Sequence, residues 1–131
     1  MERTSLKKSE INKEISEFDL GWIIGIIEGE GHIACRRNYG KYYAKITITQ
    51  KERNILDKLI KILGTGKIYT FLGTDKQSNF YYQFNLYGES AFDLCKRIFP
   101  YITSSKIQDR INYLLENHDR RFKHNKGFIK D

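Results

Sequence analysis

The stretch Leu20-Gly-Trp-Ile-Ile-Gly-Ile-Ile-Glu-Gly-Glu-Gly31 decides the fold, because three of its glycines recur every four residues. In an α-helix, residues i, i+4 and i+8 share one face. Gly21, Gly25 and Gly29 would therefore leave one face of the helix without side chains. Each interior glycine costs about 1 kcal/mol relative to alanine, and close packing against another helix would offset that cost.

The apolar run ends in two carboxylates, Glu28 and Glu30, and Gly31 suits a helix C-terminus. Two positions apart on a helix, these acids point in different directions. We therefore expect Glu30 at an active centre and Glu28 in a local cap or pair. Membrane helices use similar glycine spacings, but this uncharged run is far shorter than the roughly 20 residues that a span needs. A soluble core helix with incidental glycines is the other interpretation.

The composition favours one basic, globular domain. The chain has 131 residues, 40% of them hydrophobic, and a formal net charge of +7 at pH 7. A basic domain of this size points first to a nucleic-acid partner. Cys35 and Cys95 form no CxxC spacing, so we expect reduced core cysteines and no zinc site. The N-terminus has no apolar signal region, which predicts that the protein is not secreted.

Hydrophobic periodicity predicts an α+β domain with a four-stranded antiparallel sheet backed by helices. Capping boxes are predicted at 16–19 and at 49–52. We expect a polar N-terminal extension over 1–16, the domain over 17–117 and a basic tail over 118–131. The predicted elements are a helix over 18–29, a hairpin of 32–39 and 42–50, a helix ending at Gly64, a hairpin of 67–71 and 79–87, a helix over 89–99 stopped by Pro100, and a last helix capped by Ser104 or Ser105.

One face of this sheet must pack against the helices, and the other is rich in cations, amides, hydroxyls and aromatic rings. Such a mixture can contact phosphates and base edges together, whereas an ordinary solvated face is the alternative. The residues predicted to bind nucleic acid are Arg36, Asn38, Tyr43, Lys45, Thr47, Lys67, Tyr69, Tyr81 and Gln83.

Carboxylates are hard ligands that suit Mg²⁺, which binds one or two acids together with water and phosphate. Metal ions of this kind support phosphodiester hydrolysis. One carboxylate per chain is a sparse site, but packing the glycine face against a second copy would bring two Glu30 groups together. Each subunit would then read one half-site of a roughly palindromic target. The predicted dimer interface comprises Gly21, Trp22, Gly25 and Gly29.

The segment Ile23-Ile-Gly-Ile-Ile-Glu-Gly-Glu-Gly31 resembles the nine-residue motif of the LAGLIDADG homing endonucleases. The predicted order also resembles that family's αββαββα fold over residues 17–117. One motif copy resembles the single-motif, homodimeric branch. The resemblance implies that Glu30, at a position where Asp is commoner, is the catalytic acid and a metal ligand. It also implies that the carbonyl of Gly29 joins the metal shell.

The same resemblance implies further site residues. Gln50 would orient water at the cleavage centre, or is a simple surface residue at a strand end. Lys106 would supply the basic group ahead of the last helix, or is a plain surface lysine. Arg53 is a weaker candidate for the same positive field. His32 is expected to be a strand residue near the DNA.

The expected function is site-specific homing endonuclease activity, with double-strand breaks in a long pseudo-palindromic DNA site spanning about two helical turns. The expected cofactor is Mg²⁺, with Mn²⁺ as a substitute. The alternatives are an intron-encoded RNA maturase and a catalytically inactive DNA-binding protein on the same fold. The composition suggests an AT-rich genome, so we expect an organelle (chloroplast or mitochondrion) or a prokaryotic cytoplasm as the location, and intron homing as the role.

Overall fold

The protein is described here by a computed structural model that covers residues 8–73 and 80–120. It confirms the predicted α+β domain with a four-stranded antiparallel sheet. The elements are α1 (Glu17–Glu30), β1 (Gly31–Asn38), β2 (Lys41–Gln50), α2 (Arg53–Leu63), β3 (Lys67–Leu72), β4 (Phe80–Tyr87), α3 (Gly88–Ile98), a 3₁₀ turn (Phe99–Tyr101) and α4 (Ser105–Asn117).

The sheet has the strand order β1-β2-β4-β3, and every neighbouring pair is antiparallel. Gly31 pairs with Ile48 across β1 and β2, so the first residue after α1 lies beside a central strand. Alternate residues of β2 and β4, including Ile46, Ile48 and Phe84, are buried against the helices. Within residues 8–73 and 80–120, no helix covers the opposite face of the sheet, and this face bears the polar alternation predicted from the sequence.

The start of α1 confirms Ser16 as the N-cap residue of the first predicted capping box. The hydroxyl of Ser16 accepts a hydrogen bond from the backbone N–H of Asp19 at 3.1 Å, which satisfies one of the donors left open at a helix N-terminus. Ile23 and Ile27 are fully buried. They anchor α1 to the core while the opposite side of the helix faces outward.

The second predicted capping box, over 49–52, is wrong. Thr49 pairs with Gln83 inside the β2–β4 ladder, and α2 begins only at Arg53, where Glu52 precedes it without a side-chain cap. The strand pairing holds Thr49 in extended conformation, so its hydroxyl cannot reach the start of the helix. Of the two serines proposed to cap α4, Ser104 is the cap, accepting from the N–H of Ile107 at 3.3 Å.

Both ends of the described chain contact the domain. Ile11, within the predicted N-terminal extension, is a core residue, 5% exposed. His118, at the start of the predicted tail, is buried: its Nδ1 accepts from the N–H of Ala44 at 3.0 Å, and its Nε2 lies 3.0 Å from an oxygen of Glu89. Residues 121–131 of the predicted tail lie outside the described residues.

The two cysteines are unpaired. Cys95 is buried in the core, and this burial raises the pKa of its thiol to about 12. Cys35 is half-buried, and burial raises the pKa of its thiol as well. Across the described ranges, no helix combines the length and the apolar character that crossing a bilayer would require.

Candidate nucleic-acid interface and carboxylate site

Glu30 is the last residue of α1, and its side chain is exposed. The last carbonyls of a helix lack intrahelical partners and carry the negative end of the helix dipole. No basic residue lies in the last turn of α1. The carboxylate of Glu30 and the nearby carbonyl of Gly29 therefore provide hard oxygen donors at a helix end that electrostatically favours a cation, and this set fits Mg²⁺.

Glu28, two residues earlier, has a different role. One of its carboxylate oxygens accepts from the backbone N–H of Thr103 at 2.5 Å and from that of Ser104 at 2.8 Å. Glu28 is therefore a cap, as predicted, but the N–H groups that it caps lie 75 and 76 positions away at the start of α4 rather than locally. These bonds tie the end of α1 to the start of α4, the helix that carries Lys106.

Cations gather where α1, β1 and α4 meet. Lys106 is exposed in the first turn of α4, and Arg110, one turn later, hydrogen-bonds the Nδ1 of His32 at 3.1 Å. The pKa of His32 is lowered, first by its partial burial and then by the positive charges of Arg110, Arg36, Lys106 and Lys45. A positive field thus surrounds the start of β1, two residues beyond Glu30.

Arg110 was not among the residues predicted from the sequence. Its spacing of four from Lys106 was a usable signal, since residues i and i+4 share a helix face. The partner, His32, lies 78 positions away in the chain. Only the folded arrangement of α4 along β1 brings the two side chains together.

Gln50 and Arg53 lie at the junction of β2 and α2. Gln50 is half-buried and opposes Tyr82 in the strand register, on the same sheet face as Ile48. The guanidinium of Arg53 lies 5.9 Å from the centre of the Tyr82 ring, and its Nε lies 3.4 Å from a carboxylate oxygen of Asp57. The structure thus groups Gln50 with Arg53 beside Tyr82, and Lys106 with the cations around His32. The catalytic roles of these side chains stay predictions.

The nine residues predicted to bind nucleic acid occupy the strand positions that face away from the helices. Arg36 opposes Tyr43 on the β1–β2 hairpin. Gln83 opposes Tyr69 on the β3–β4 hairpin. The register places the remaining members on the same face: Asn38, Lys45, Thr47, Lys67 and Tyr81.

An open groove of about 950 Å³ lies at the Lys45–Tyr87 end of the β2–β4 pair, between the two hairpins, the start of α3 and His118. Arg36, Lys45 and Lys67 contribute to its lining. The ammonium of Lys45 also lies 5.4 Å from the centre of the Tyr87 ring, a cation–π distance. Cations from both hairpins thus line one concave surface, together with the acids Glu10, Glu89 and Asp119.

The glycine face of α1, formed by Gly21, Gly25 and Gly29, is exposed. A Cβ built at any of the three would meet nothing within 4 Å. This side of the helix is therefore open to another surface at close range. Trp22 departs from that face: it packs partly against the core, and the ammonium of Lys58 lies 4.3 Å from the centre of its ring. Its predicted place in the interface stays a prediction.

Within residues 8–73 and 80–120, no three His, Cys, Asp or Glu side chains form a cluster able to hold a metal ion.

Two solved structures share this architecture. One is the archaeal intron-encoded homing endonuclease I-Vdi141I complexed with DNA, with a TM-score of 0.53 and 22% identity over 69% of this chain and 61% of that chain. The other is the LAGLIDADG meganuclease I-AabMI bound to uncleaved DNA, with a TM-score of 0.52 and 21% identity over 74% of this chain and 36% of that chain. The chain thus spans less than two thirds of either neighbour.

No protein-family profile matches the chain, and no curated protein matches its sequence. The structural neighbours nevertheless define the fold, because both share the α+β architecture of this chain. More particularly, the chain has the fold of the LAGLIDADG homing endonucleases, and the resemblance seen at Ile23–Gly31 is confirmed at the level of fold.

Proposed function

We propose that this protein is a homodimeric, Mg²⁺-dependent homing endonuclease of the single-motif branch. It makes double-strand breaks in a long pseudo-palindromic DNA site. One observation carries the proposal: the exposed Glu30 ends a helix whose glycine face is open, at the point where the cation-bearing face of the sheet begins.

Glu30 and the carbonyl of Gly29 would hold the cation, and Mn²⁺ would substitute for Mg²⁺. When bound, the ion supplies an activated water and charge neutralisation at the phosphate. The side chain of Gln50 orients water. Lys106 and Arg53 provide positive charge where negative charge develops on the phosphate, which is the usual electrostatic contribution of such groups.

A second copy of the chain would pack against the glycine face. A two-fold axis there places one Glu30 from each subunit close to that axis, so each subunit contributes an acid to the cleavage centre. The outer sheet faces of the two subunits then lie along the two halves of the target. With this geometry, both strands would be cut and the site would be pseudo-palindromic.

A cleavage assay with the variant Glu30→Gln tests the proposal. With Mg²⁺, the wild type is expected to nick and then linearise plasmid carrying its site, and EDTA is expected to stop it. Glu30→Gln, which has nearly the same shape, is expected to lose cutting while it keeps most of its DNA affinity. Glu116→Gln, an exposed acid on α4, is the matched control.

Cutting in EDTA, or a parallel loss of cutting and binding in Glu30→Gln, would contradict the assigned role of Glu30. Binding without cutting by the wild type in Mg²⁺ and in Mn²⁺ would instead favour the catalytically inactive DNA-binding protein.

A second candidate function is an RNA maturase, and one observation favours it. Three aromatic side chains stay exposed on the outer sheet face: Tyr69 at 41%, Phe71 at 38% and Tyr87 at 50%. Unpaired bases stack on such rings, and duplex DNA does not offer unpaired bases. Faster splicing of the host intron RNA on addition of purified protein would support this function. Both functions place the protein beside its intron, in an organelle or a prokaryotic cytoplasm.

A further inference from the structure

An imidazole and a guanidinium form a pair where α4 runs along β1, the strand at one edge of the described sheet. Nη1 of Arg110 lies 3.1 Å from Nδ1 of His32. A groove of about 350 Å³ opens beside the pair, between β1 and α4. Neither side chain has a role in the proposed cleavage centre, although both lie close to it.

The chemistry of the pair decides which ring nitrogen of His32 carries a hydrogen. A guanidinium has only N–H donors and no acceptor. Arg110 must therefore donate, and Nδ1 of His32 must accept with a lone pair. The ring is then neutral with its single hydrogen on Nε2, because the bond at one ring nitrogen sets the state of the other. His32 is exposed, and nothing in the described part of the chain accepts a hydrogen bond from Nε2.

Two features hold this donor near the proposed cleavage centre. Glu28 caps the start of α4, which fixes that helix to the end of α1. Arg110 follows Ser104 by a rise of about 9 Å along α4. His32 follows Glu30 by two residues, so their Cα atoms lie at most about 7 Å apart. A phosphate bound beside Glu30 would therefore lie within side-chain reach of His32.

We propose that His32 is a further catalytic residue, whose Nε2–H donates a hydrogen bond to a non-bridging oxygen of the scissile phosphate, and that Arg110 is the positioning residue that orients the ring. No proton is transferred. The bond strengthens as negative charge grows on the phosphate in the transition state, so it raises the cleavage rate more than the DNA affinity. The inference rests on the proposed function, which supplies the phosphodiester substrate.

Single-turnover cleavage of the site selected by the wild type, with saturating protein and Mg²⁺, tests His32. His32→Ala is expected to cut about 100-fold more slowly, because losing one such donor typically costs a factor of this size. Its dissociation constant in EDTA should rise by less than about fivefold, and its urea midpoint should match that of the wild type. His32→Gln offers Arg110 a carbonyl and the phosphate an amide donor, so it should recover part of the rate.

The double variant His32→Ala/Arg110→Met tests how Arg110 acts. Arg110→Met alone has no donor for the ring and should cut about tenfold more slowly than the wild type. The double variant should cut no more slowly than His32→Ala, because no ring is left to orient. Lys61→Met, which removes a positive charge from an exposed site on α2, is the matched control and should cut like the wild type. If the two losses instead multiply, Arg110 acts through its own charge, and its positioning role is overturned.

Sulfur substitution identifies the phosphate that His32 contacts. Sulfur accepts hydrogen bonds weakly. One of the two diastereomers with sulfur at the scissile phosphate should therefore slow the wild type more than it slows His32→Ala. A sulfur effect that depends on His32 only at a neighbouring phosphate would overturn the assignment to the scissile one.

Nitrogen-15 NMR of the free wild type in EDTA tests the ring without any variant, so the inference stays testable if His32→Ala does not fold. At about pH 8, where imidazole is neutral, the hydrogen of His32 is expected on Nε2, and a hydrogen on Nδ1 would overturn the inference. A wild-type cleavage rate for His32→Ala, or equal losses of rate and affinity, would overturn this inference alone. A wild type that binds its site but does not cut it with Mg²⁺ would overturn the proposed function and, with it, this inference.

Discussion

At the scale of single residues, two acids of one helix end differ because of what lies beside them. Glu28 faces the start of α4 and accepts two backbone N–H groups, whereas Glu30 is exposed at the last position of α1. One carboxylate is used for structure, and the other stays accessible to a ligand. Helix geometry alone thus gives two identical carboxylates, two residues apart, different roles.

The variant Glu28→Ala tests this division. It leaves the N–H groups of Thr103 and Ser104 without their acceptor, and losing a charged acceptor of this kind costs about 1–3 kcal/mol. The midpoint of urea unfolding is therefore expected to fall. Glu28→Gln, which keeps an acceptor oxygen, should recover part of the loss, and Glu116→Ala is the exposed control. If Glu28→Ala unfolds at the same urea midpoint as the wild type, this contact contributes nothing to stability.

Lys45 gives a prediction about binding. Its ammonium lies over Tyr87 on the outer face and lines the groove between the hairpins. If it contacts a phosphate, Lys45→Ala should weaken binding to all sequences similarly. The slope of log K against log salt should then become less steep by about one unit. Fluorescence anisotropy at several salt concentrations measures this slope.

Lys61 is the matched control, because it is an exposed lysine on α2 away from the outer sheet face. Lys61→Ala is expected to keep the wild-type slope. Equal slopes for Lys45→Ala and the wild type would remove Lys45 from the phosphate contacts.

At the scale of elements, a network of side chains binds the segment before α1 to α3. The hydroxyl of Ser9 donates to Asp93 at 2.6 Å, and Arg97 donates both to Asp93 and to the carbonyl of Asn12. Burial of Asp93 alone would raise the pKa of its carboxyl. The hydrogen bonds from Arg97 and Ser9, with the charges of Arg97 and Lys96, outweigh that effect and lower the pKa.

A folded-state pKa below the unfolded value of about 3.9 means that Asp93 stabilises the fold above that value. The contribution is lost as the pH falls through the folded pKa. Near neutral pH, Asp93→Asn is therefore expected to unfold at a lower urea concentration than the wild type. Its free energy of unfolding should be lower by about 1–2 kcal/mol. The gap to the wild type should close as the pH falls from the unfolded pKa of Asp93 through its lower folded pKa. A gap of the same size at all pH values would show that the charge of Asp93 is irrelevant.

Local patterns predicted the elements well, and contacts distant in the chain account for what they missed. The alternation around Ile46 and the cap at Ser16 depend on near neighbours, and both follow from the sequence. The failed cap at Thr49 depends on its pairing with β4. Likewise, the bond of His118 to Ala44 spans 74 positions, and the burial of Asn85 depends on a strand pairing that periodicity does not specify.

At the scale of the whole molecule, the proposed cleavage centre requires a second copy of the chain. Each chain brings one exposed Glu30 at the end of an open glycine face. Glycine in a helix interior is destabilising, so three of them on one exposed face weaken the isolated chain. In the proposed dimer, close approach of a second α1 would compensate for this cost, and the same contact would assemble the cleavage centre.

The variant Gly25→Leu separates the fold of the chain from its assembly. A Cβ at Gly25 meets nothing within 4 Å, and leucine favours a helix over glycine by up to about 1 kcal/mol. The single chain should therefore stay folded, with an unchanged circular dichroism spectrum, while the added side chain blocks close helix approach. Sedimentation velocity should show a monomer. A plasmid cleavage assay should show that this monomer no longer cuts both strands.

Asn112→Leu is the matched control for Gly25→Leu, because it adds a leucine to an exposed face of α4. It is expected to sediment like the wild type and to cut both strands. An intact dimer for Gly25→Leu would place the subunit contact elsewhere on the molecule. A folded Gly25→Leu monomer that still makes double-strand breaks would show that one Glu30 is enough. In that case, pairing through α1 would not be what assembles the cleavage centre.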